Sequence, residues 1–102
     1  KHEGNFRSPE LLRLAAKAPH CFNCEVVNFG QVVAAHSNHL RHGKGIGIKA
    51  HDVCAFVCGS CHDLIDGRTP GWDPQERDMA FYRSHFETTV WLFREWHLEV
   101  VP

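Results

Sequence analysis

Two Cys-x-x-Cys pairs constrain this chain more than any other feature of its sequence. The first pair is Cys21 and Cys24, the second is Cys58 and Cys61, and 33 residues separate them. Two thiolates three positions apart can bind one ion from a tight turn, and two such pairs complete a tetrahedral site. A chain of 102 residues buries only a modest core, so a bound ion would add much to its stability. We therefore predict a structural Zn²⁺ site with four cysteine ligands.

The odd number of cysteines leaves disulfide bonds as the alternative to metal. Five cysteines in a small secreted protein would suggest a disulfide framework. Paired spacing favours metal instead, and it implies a reducing compartment, so we predict a cytoplasmic protein. The sequence has no apolar run of membrane-spanning length and no secretory h-region, but it starts at Lys1 without methionine, which leaves a trimmed leader open. The fifth cysteine, Cys54, lies in an apolar stretch and is expected to be a buried core residue.

Turn and capping residues predict an α+β fold in a single domain, residues 1–102. Ser8 and Pro9 begin an N-terminal helix that ends before Pro19. The β-prone runs 26–27 and 31–35 flank three turn residues, which predicts a hairpin whose second strand ends at His36.

The second half of the chain reads as a loop and two helices. Glycines alternate through residues 43–49, which predicts a loop, and a helix is predicted from His62 to Gly67. Asp73 begins a long helix that runs to about His97. Five residues on one side of it are predicted to face the core: Met79, Tyr82, Phe86, Val90 and Phe93. Trp91 and Trp96 lie off that side, and two interpretations of this aromatic-rich helix stay open: a surface for a homodimer or a well-covered core face.

Two histidines and a carboxylate suggest a chemically active site beside the zinc. His62 directly follows the last cysteine, and Asp66 lies one helical turn further on, so both side chains share a face. Such a pair can hold a divalent cation with positions left for water and phosphate. The alternative is a solvated helix end without a ligand. His36 would be tied to this helix through the zinc, and a histidine suits a general base near neutral pH.

The whole pattern resembles the HNH, or ββα-metal (His-Me finger), endonuclease superfamily. It is similar to small phage and prophage nucleases of the YbcO-like type, through residues 33–38, 43–52 and 58–68. The resemblance implies a zinc-stabilised ββα-metal core of a hairpin and a helix, flanked by the N-terminal helix and the long C-terminal helix. It also implies a metal-dependent DNA endonuclease that hydrolyses phosphodiester bonds in phage or prophage DNA processing or recombination.

Site residues follow from the same resemblance. His36 is the base that activates water, and His62 is a ligand of a catalytic Mg²⁺ or Mn²⁺ ion. The asparagine of the family motif has no match, because Asp52 or His51 occupies its neighbourhood. Three candidates therefore remain for the second ligand, in the order Asp66, Asp52 and His39.

The charge distribution indicates where DNA would bind. The net charge of −1 excludes strong binding by bulk electrostatics. Residues 36–51, however, carry three basic residues, four histidines and no acid. The predicted phosphate contacts are His39, Arg41, Lys44 and Lys49. The alternative function is a non-catalytic zinc-stabilised module that binds nucleic acid or protein.

Overall fold

The fold consists of a two-stranded sheet with helices around it, in a computed structural model that describes residues 7–39, 50–95 and 98. The elements in chain order are α1 (Pro9–Arg13), a 3₁₀ helix (Leu14–Lys17), β1 (Val32–His36), β2 (Cys54–Cys58), α2 (Gly59–Ile65) and α3 (Pro74–Arg94). This confirms the predicted α+β class. Among the described helices, none has the length and apolarity that crossing a membrane requires.

The sheet pairs β1 with β2, so the predicted hairpin is wrong. The strands are antiparallel, in a register that runs from Val32 opposite Cys58 to His36 opposite Cys54. The sequence predicts Val27 to lie in the first strand of that hairpin. In the structure, Val27 forms an isolated bridge with His20 instead.

The backbone around the first cysteine pair explains why residues 26–27 form no strand. The Val26 carbonyl accepts a hydrogen bond from the Cys21 N–H at 2.9 Å, which closes the turn that carries the cysteines. Asn28 then anchors the next turn, because its Nδ2 donates to the Ala18 carbonyl at 2.9 Å and its Oδ1 accepts from the Gly30 N–H at 2.8 Å. Residues 26–27 therefore belong to turns and form no strand before β1 begins.

The helix starts follow the capping residues closely, whereas the helix ends do not. Ser8 Oγ accepts from the Leu11 N–H at 3.2 Å, and Asp73 forms a complete capping box at the start of α3. The N-terminal helix tightens to a 3₁₀ helix after Arg13, and α3 ends at Arg94 rather than near residue 97. Helix α2 begins at Gly59, three residues before the predicted start.

All five residues of β2 are buried, and this strand forms the centre of the core. Within the described part of the chain, its edge away from β1 has no neighbouring strand, and other groups bind its backbone. Thr88 Oγ1 accepts from the Phe56 N–H at 2.9 Å, and the Phe22 N–H donates to the Phe56 carbonyl at 3.0 Å. His85 Nδ1 lies 2.6 Å from the Cys54 carbonyl, which makes it a donor. Helix α3 and the first cysteine turn thus satisfy the open edge.

Helix α3 buries the opposite face from the one predicted. Its buried residues are Ala80, Phe81, Ser84, Thr88 and Leu92. Most of the predicted core residues, Met79, Tyr82, Phe86 and Phe93, are exposed. Small side chains on the inner face let the helix approach β2 closely, and the Thr88 hydroxyl has to face inward to reach Phe56. Trp91 is half-buried and packs edge-on against Phe56 with ring centroids 6.2 Å apart, while Trp96 lies outside the described residues.

Candidate functional site

The four paired cysteines meet at one point. The Sγ atoms of Cys21, Cys24, Cys58 and Cys61 all lie within 4.8 Å of one another, and all four thiols are free. Cys24 Sγ and Cys58 Sγ are 3.8 Å apart, which is the spacing of about 3.8 Å that two sulfurs have in a tetrahedron with Zn–S bonds of ~2.3 Å. The cluster can therefore hold a metal ion such as zinc.

Three elements bring these cysteines together. Cys21 and Cys24 sit on the tight turn after the 3₁₀ helix, where Glu25 adopts a left-handed conformation with φ of 68°. Cys58 is the last residue of β2 and Cys61 lies in the first turn of α2. The cluster thus joins the turn that carries Cys21 and Cys24 to the junction of β2 and α2.

Burial and hydrogen bonding together shift the pKa values of two of these thiols in opposite directions. Burial raises the pKa of Cys21, but hydrogen bonds from backbone N–H groups, that of Cys24 first among them, outweigh burial and bring the pKa down to about 7. Burial raises the pKa of Cys61, even though Asn23 Nδ2 donates to its Sγ at 3.2 Å. Because thiolates are the ligands, binding of a metal would displace protons from this cluster.

The second cluster is built around the carboxylate of Asp66, directly after α2. His62 Nε2 lies 3.0 Å from Asp66 Oδ2, which confirms that these side chains share a face. Asn38 Nδ2 donates to Asp66 Oδ1 at 3.0 Å, and Arg68 Nη2 lies 3.2 Å from Oδ2. The Asp66 side chain is only 8% exposed. The segment that follows β1 therefore lies against the helix that carries His62.

His36 is the last residue of β1 and is half-buried, with its Nε2 atom in the interior. Its ring centroid lies 5.5 Å from that of the buried His51. The Ser8 N–H donates to His51 Nδ1 at 2.6 Å. The N-terminal segment thereby holds the His51 ring beside His36.

The other predicted site residues lie apart from this carboxylate. Asp52 is exposed, and no contact among the described residues joins it to His62 or Asp66. Burial of Cys54 raises the pKa of its thiol to about 12, and the negative charge of Asp52 adds to this shift. His39 Nε2 lies 3.1 Å from Asp78 Oδ1, and its ring stacks on Tyr82. Arg41, Lys44 and Lys49 lie outside the described residues.

Among the residues that the structure describes, only the cysteines form a complete ligand set. Within residues 7–39, 50–95 and 98, they are the one group of three or more His, Cys, Asp or Glu side chains placed to hold a metal. His62 and Asp66 supply two neighbouring donors. A cation bound to them would keep positions for water or a substrate oxygen.

Several contributing residues carry no clear signal in the sequence. Asn23 lies inside the first Cys-x-x-Cys pair, and it also accepts a hydrogen bond from Arg83 of α3. The approach of Arg68 to Asp66 depends on the left-handed conformation of Gly67 (φ 77°) after the helix. Asn38 stands next to His39 in a polar run, which was the one local hint of its position.

Comparisons with known proteins yield no relative. No protein-family model, curated protein or solved structure matches this chain.

Proposed function

We propose that this protein is a metal-dependent DNA endonuclease that hydrolyses phosphodiester bonds in phage or prophage DNA processing. The observation that carries the proposal is the contact between Asn38, two residues after His36, and Asp66, one helical turn after His62. It brings a histidine-ended strand alongside a helix with a histidine–carboxylate pair. The order of two antiparallel strands and a helix also agrees with the ββα-metal core of the HNH nucleases that the sequence resembles.

His62 and Asp66 are the proposed ligands of the catalytic ion. Mg²⁺ and Mn²⁺ prefer octahedral coordination with bonds of about 2.1 Å, so two adjacent ligand atoms lie about 3.0 Å apart. The 3.0 Å between His62 Nε2 and Asp66 Oδ2 equals this spacing. Among the described residues no contact joins Asp52 to His62, and His39 is paired with Asp78; both observations favour Asp66 as the second ligand. A bound ion would polarise the scissile phosphate and stabilise the leaving oxygen.

His36 is the proposed general base. Its Nε2 is buried, so Nδ1 is the atom that we assign to accept the proton of the attacking water. The buried His51 ring packs against His36 and limits its orientation. Asn38 and Arg68 hold the Asp66 carboxylate in place.

The cysteine cluster, loaded with structural zinc, has a separate task. It ties Cys58 and Cys61 to the turn that carries Cys21 and Cys24, and it thereby fixes where α2 starts. With no open coordination position, this zinc would take no part in the reaction. The reduced thiols agree with a cytoplasmic location, and Arg41, Lys44 and Lys49 are the proposed contacts to DNA phosphates.

Nicking of supercoiled plasmid by the zinc-loaded protein tests this function. We expect cleavage with Mg²⁺ or Mn²⁺, and a loss of at least about 100-fold in His36→Ala, in line with the usual contribution of a general base. His62→Ala should be equally impaired. His20→Ala is the matched control, since His20 packs on Phe22 beside the cysteine turn and should keep wild-type activity.

The carboxylates provide a second comparison. Asp66→Asn should lose most of the activity, whereas Asp52→Asn should retain it. Cleavage that survives both His36→Ala and His62→Ala would refute the assignment. Absence of cleavage with any divalent ion would instead favour the non-catalytic zinc-stabilised binding module.

A further inference from the structure

An apolar stripe runs along α3 on the side that faces away from the core. It is formed by Met79, Tyr82, Phe86 and Phe93, whose exposed fractions are 64, 36, 62 and 45%. At 100° per residue these positions fall within about 60° of one another, and they lie opposite the buried Ser84 and Thr88. The stripe thus covers about four turns of the helix with large side chains that lie outside the buried core, although Tyr82 also stacks on His39.

We propose that this stripe is the interface of a homodimer, in which α3 pairs with the same helix of a second copy in antiparallel orientation. A two-fold axis near Phe86 places the two Phe86 rings against each other. Met79 then faces Phe93 of the other copy, and Tyr82 faces Val90. The contact is self-complementary, so it closes after two copies.

The charges beside the stripe favour a second copy, and they favour this orientation. Glu76, Arg83, Glu87 and Arg94 share one flank of α3 and alternate in sign. Glu76 and Arg94 are symmetric about position 85, and so are Arg83 and Glu87. A partner helix centred on Phe86, one residue from that position, offsets each acid from the facing base by about 3 Å along the helix (two residues of ~1.5 Å rise). These long side chains span that offset, which gives four intermolecular ion pairs across the dimer. These groups have other contacts too, since Glu76 belongs to the capping box and Arg83 donates to Asn23.

The size of the stripe predicts a weak dimer. With about 200 Å² for each fully exposed side chain of this kind, the four residues present roughly 400 Å² per copy. That is about half the area of a standard interface, and it lies in the range of about 300–600 Å² that the largest apolar patch of a monomer, often a functional one, has. We expect a dissociation constant of roughly 1–100 μM, as for transient interfaces.

Sedimentation-velocity ultracentrifugation across this concentration range tests the proposal on the zinc-loaded full chain. The wild type should shift from monomer to dimer, and Phe86→Asp should weaken the dimer at least about 30-fold by placing two buried charges at the axis. Phe29→Asp is the matched control, because Phe29 is 87% exposed but lies in the turn before β1. It should dimerise as the wild type does, and circular dichroism should show both variants folded.

The ion pairs test the orientation. Glu87→Arg should raise the dissociation constant of the dimer about fivefold. The new arginine faces Arg83 of the other copy, and the two-fold symmetry makes this repulsion between like charges occur twice. Arg83→Glu combined with Glu87→Arg should restore the affinity. A wild type that stays monomeric up to 1 mM (about ten times the upper limit of the expected dissociation constant) would overturn the proposal. The stripe would then be a binding surface for a different protein. Dimers unaffected by Phe86→Asp would overturn it as well, and dimers lost in Phe86→Asp but unaffected by Glu87→Arg would overturn the antiparallel arrangement.

Discussion

Replacing Thr88 by valine should destabilise the protein through one backbone group of β2. Thr88 is 1% exposed, and its Oγ1 accepts from the Phe56 N–H at 2.9 Å. Valine has the same shape and branching, so it leaves no cavity. It removes the acceptor for the Phe56 N–H together with the hydroxyl's own donation to the Ser84 carbonyl at 2.7 Å, a bond that the control substitution below also loses in kind. The Phe56 N–H then stays buried without a partner, which costs about 1–3 kcal/mol. For a domain of this size, a loss of ~2 kcal/mol lowers the Tm by about 8–16 °C.

Thr89→Val is the matched control for this substitution. Thr89 is next in the same helix, but it is only half-buried, and its hydroxyl donates to the His85 carbonyl at 3.0 Å instead of accepting from the strand. Urea unfolding of both variants at one zinc concentration should show a lower midpoint for Thr88→Val and a change below about 0.5 kcal/mol for Thr89→Val. Equal midpoints would refute the claim that α3 satisfies the open edge of β2.

The other predictions concern the cysteines and the turn that carries them. Removal of metal by a chelator, or Cys61→Ser, should abolish cooperative thermal unfolding, because binding and folding are coupled; retention of wild-type melting would contradict this. Metal affinity should fall as the pH drops below about 7, since protons then compete for thiolates such as Cys21, and a competition titration against a zinc indicator measures it. The free energy of unfolding should be about 1 kcal/mol higher for Glu25→Gly than for Glu25→Ala, because φ is 68° at this position and glycine adopts that conformation without strain. Thermal melting of the two variants measures the difference. Cys54, with its pKa raised by burial to about 12, should resist alkylation at pH 8 until the protein unfolds; rapid labelling in the native state would exclude a buried thiol.

The cysteine cluster was predictable because its signal is local. Each Cys-x-x-Cys pair fixes two ligands within one turn, and only the meeting of the two pairs had to be inferred. The His62–Asp66 contact is equally local, as an i, i+4 pair on a helix. Capping residues at Ser8 and Asp73 located two helix starts for the same reason.

The wrong predictions involve choices that tertiary packing decides. Two segments could pair with β1, namely residues 26–27 and the segment that forms β2. The nearer one, residues 26–27, belongs instead to the backbone turn around the first cysteines. Helix α3 likewise has two apolar sides, and the bulkier one was expected to be buried. The Thr88 hydroxyl selects the side with small residues, because β2 needs an acceptor at Phe56. Such a requirement cannot be seen in hydrophobic periodicity alone.

The proposed role of His62 is to help hold a divalent ion separate from the cysteine cluster. Its most direct test is Mn²⁺ binding to the zinc-loaded protein, followed by electron paramagnetic resonance and with zinc content measured in parallel. We predict one Mn²⁺ per chain in the wild type and in His20→Ala. His62→Ala should lose Mn²⁺ binding and keep its zinc. No Mn²⁺ uptake by the wild type, or equal uptake by His62→Ala, would contradict the claim.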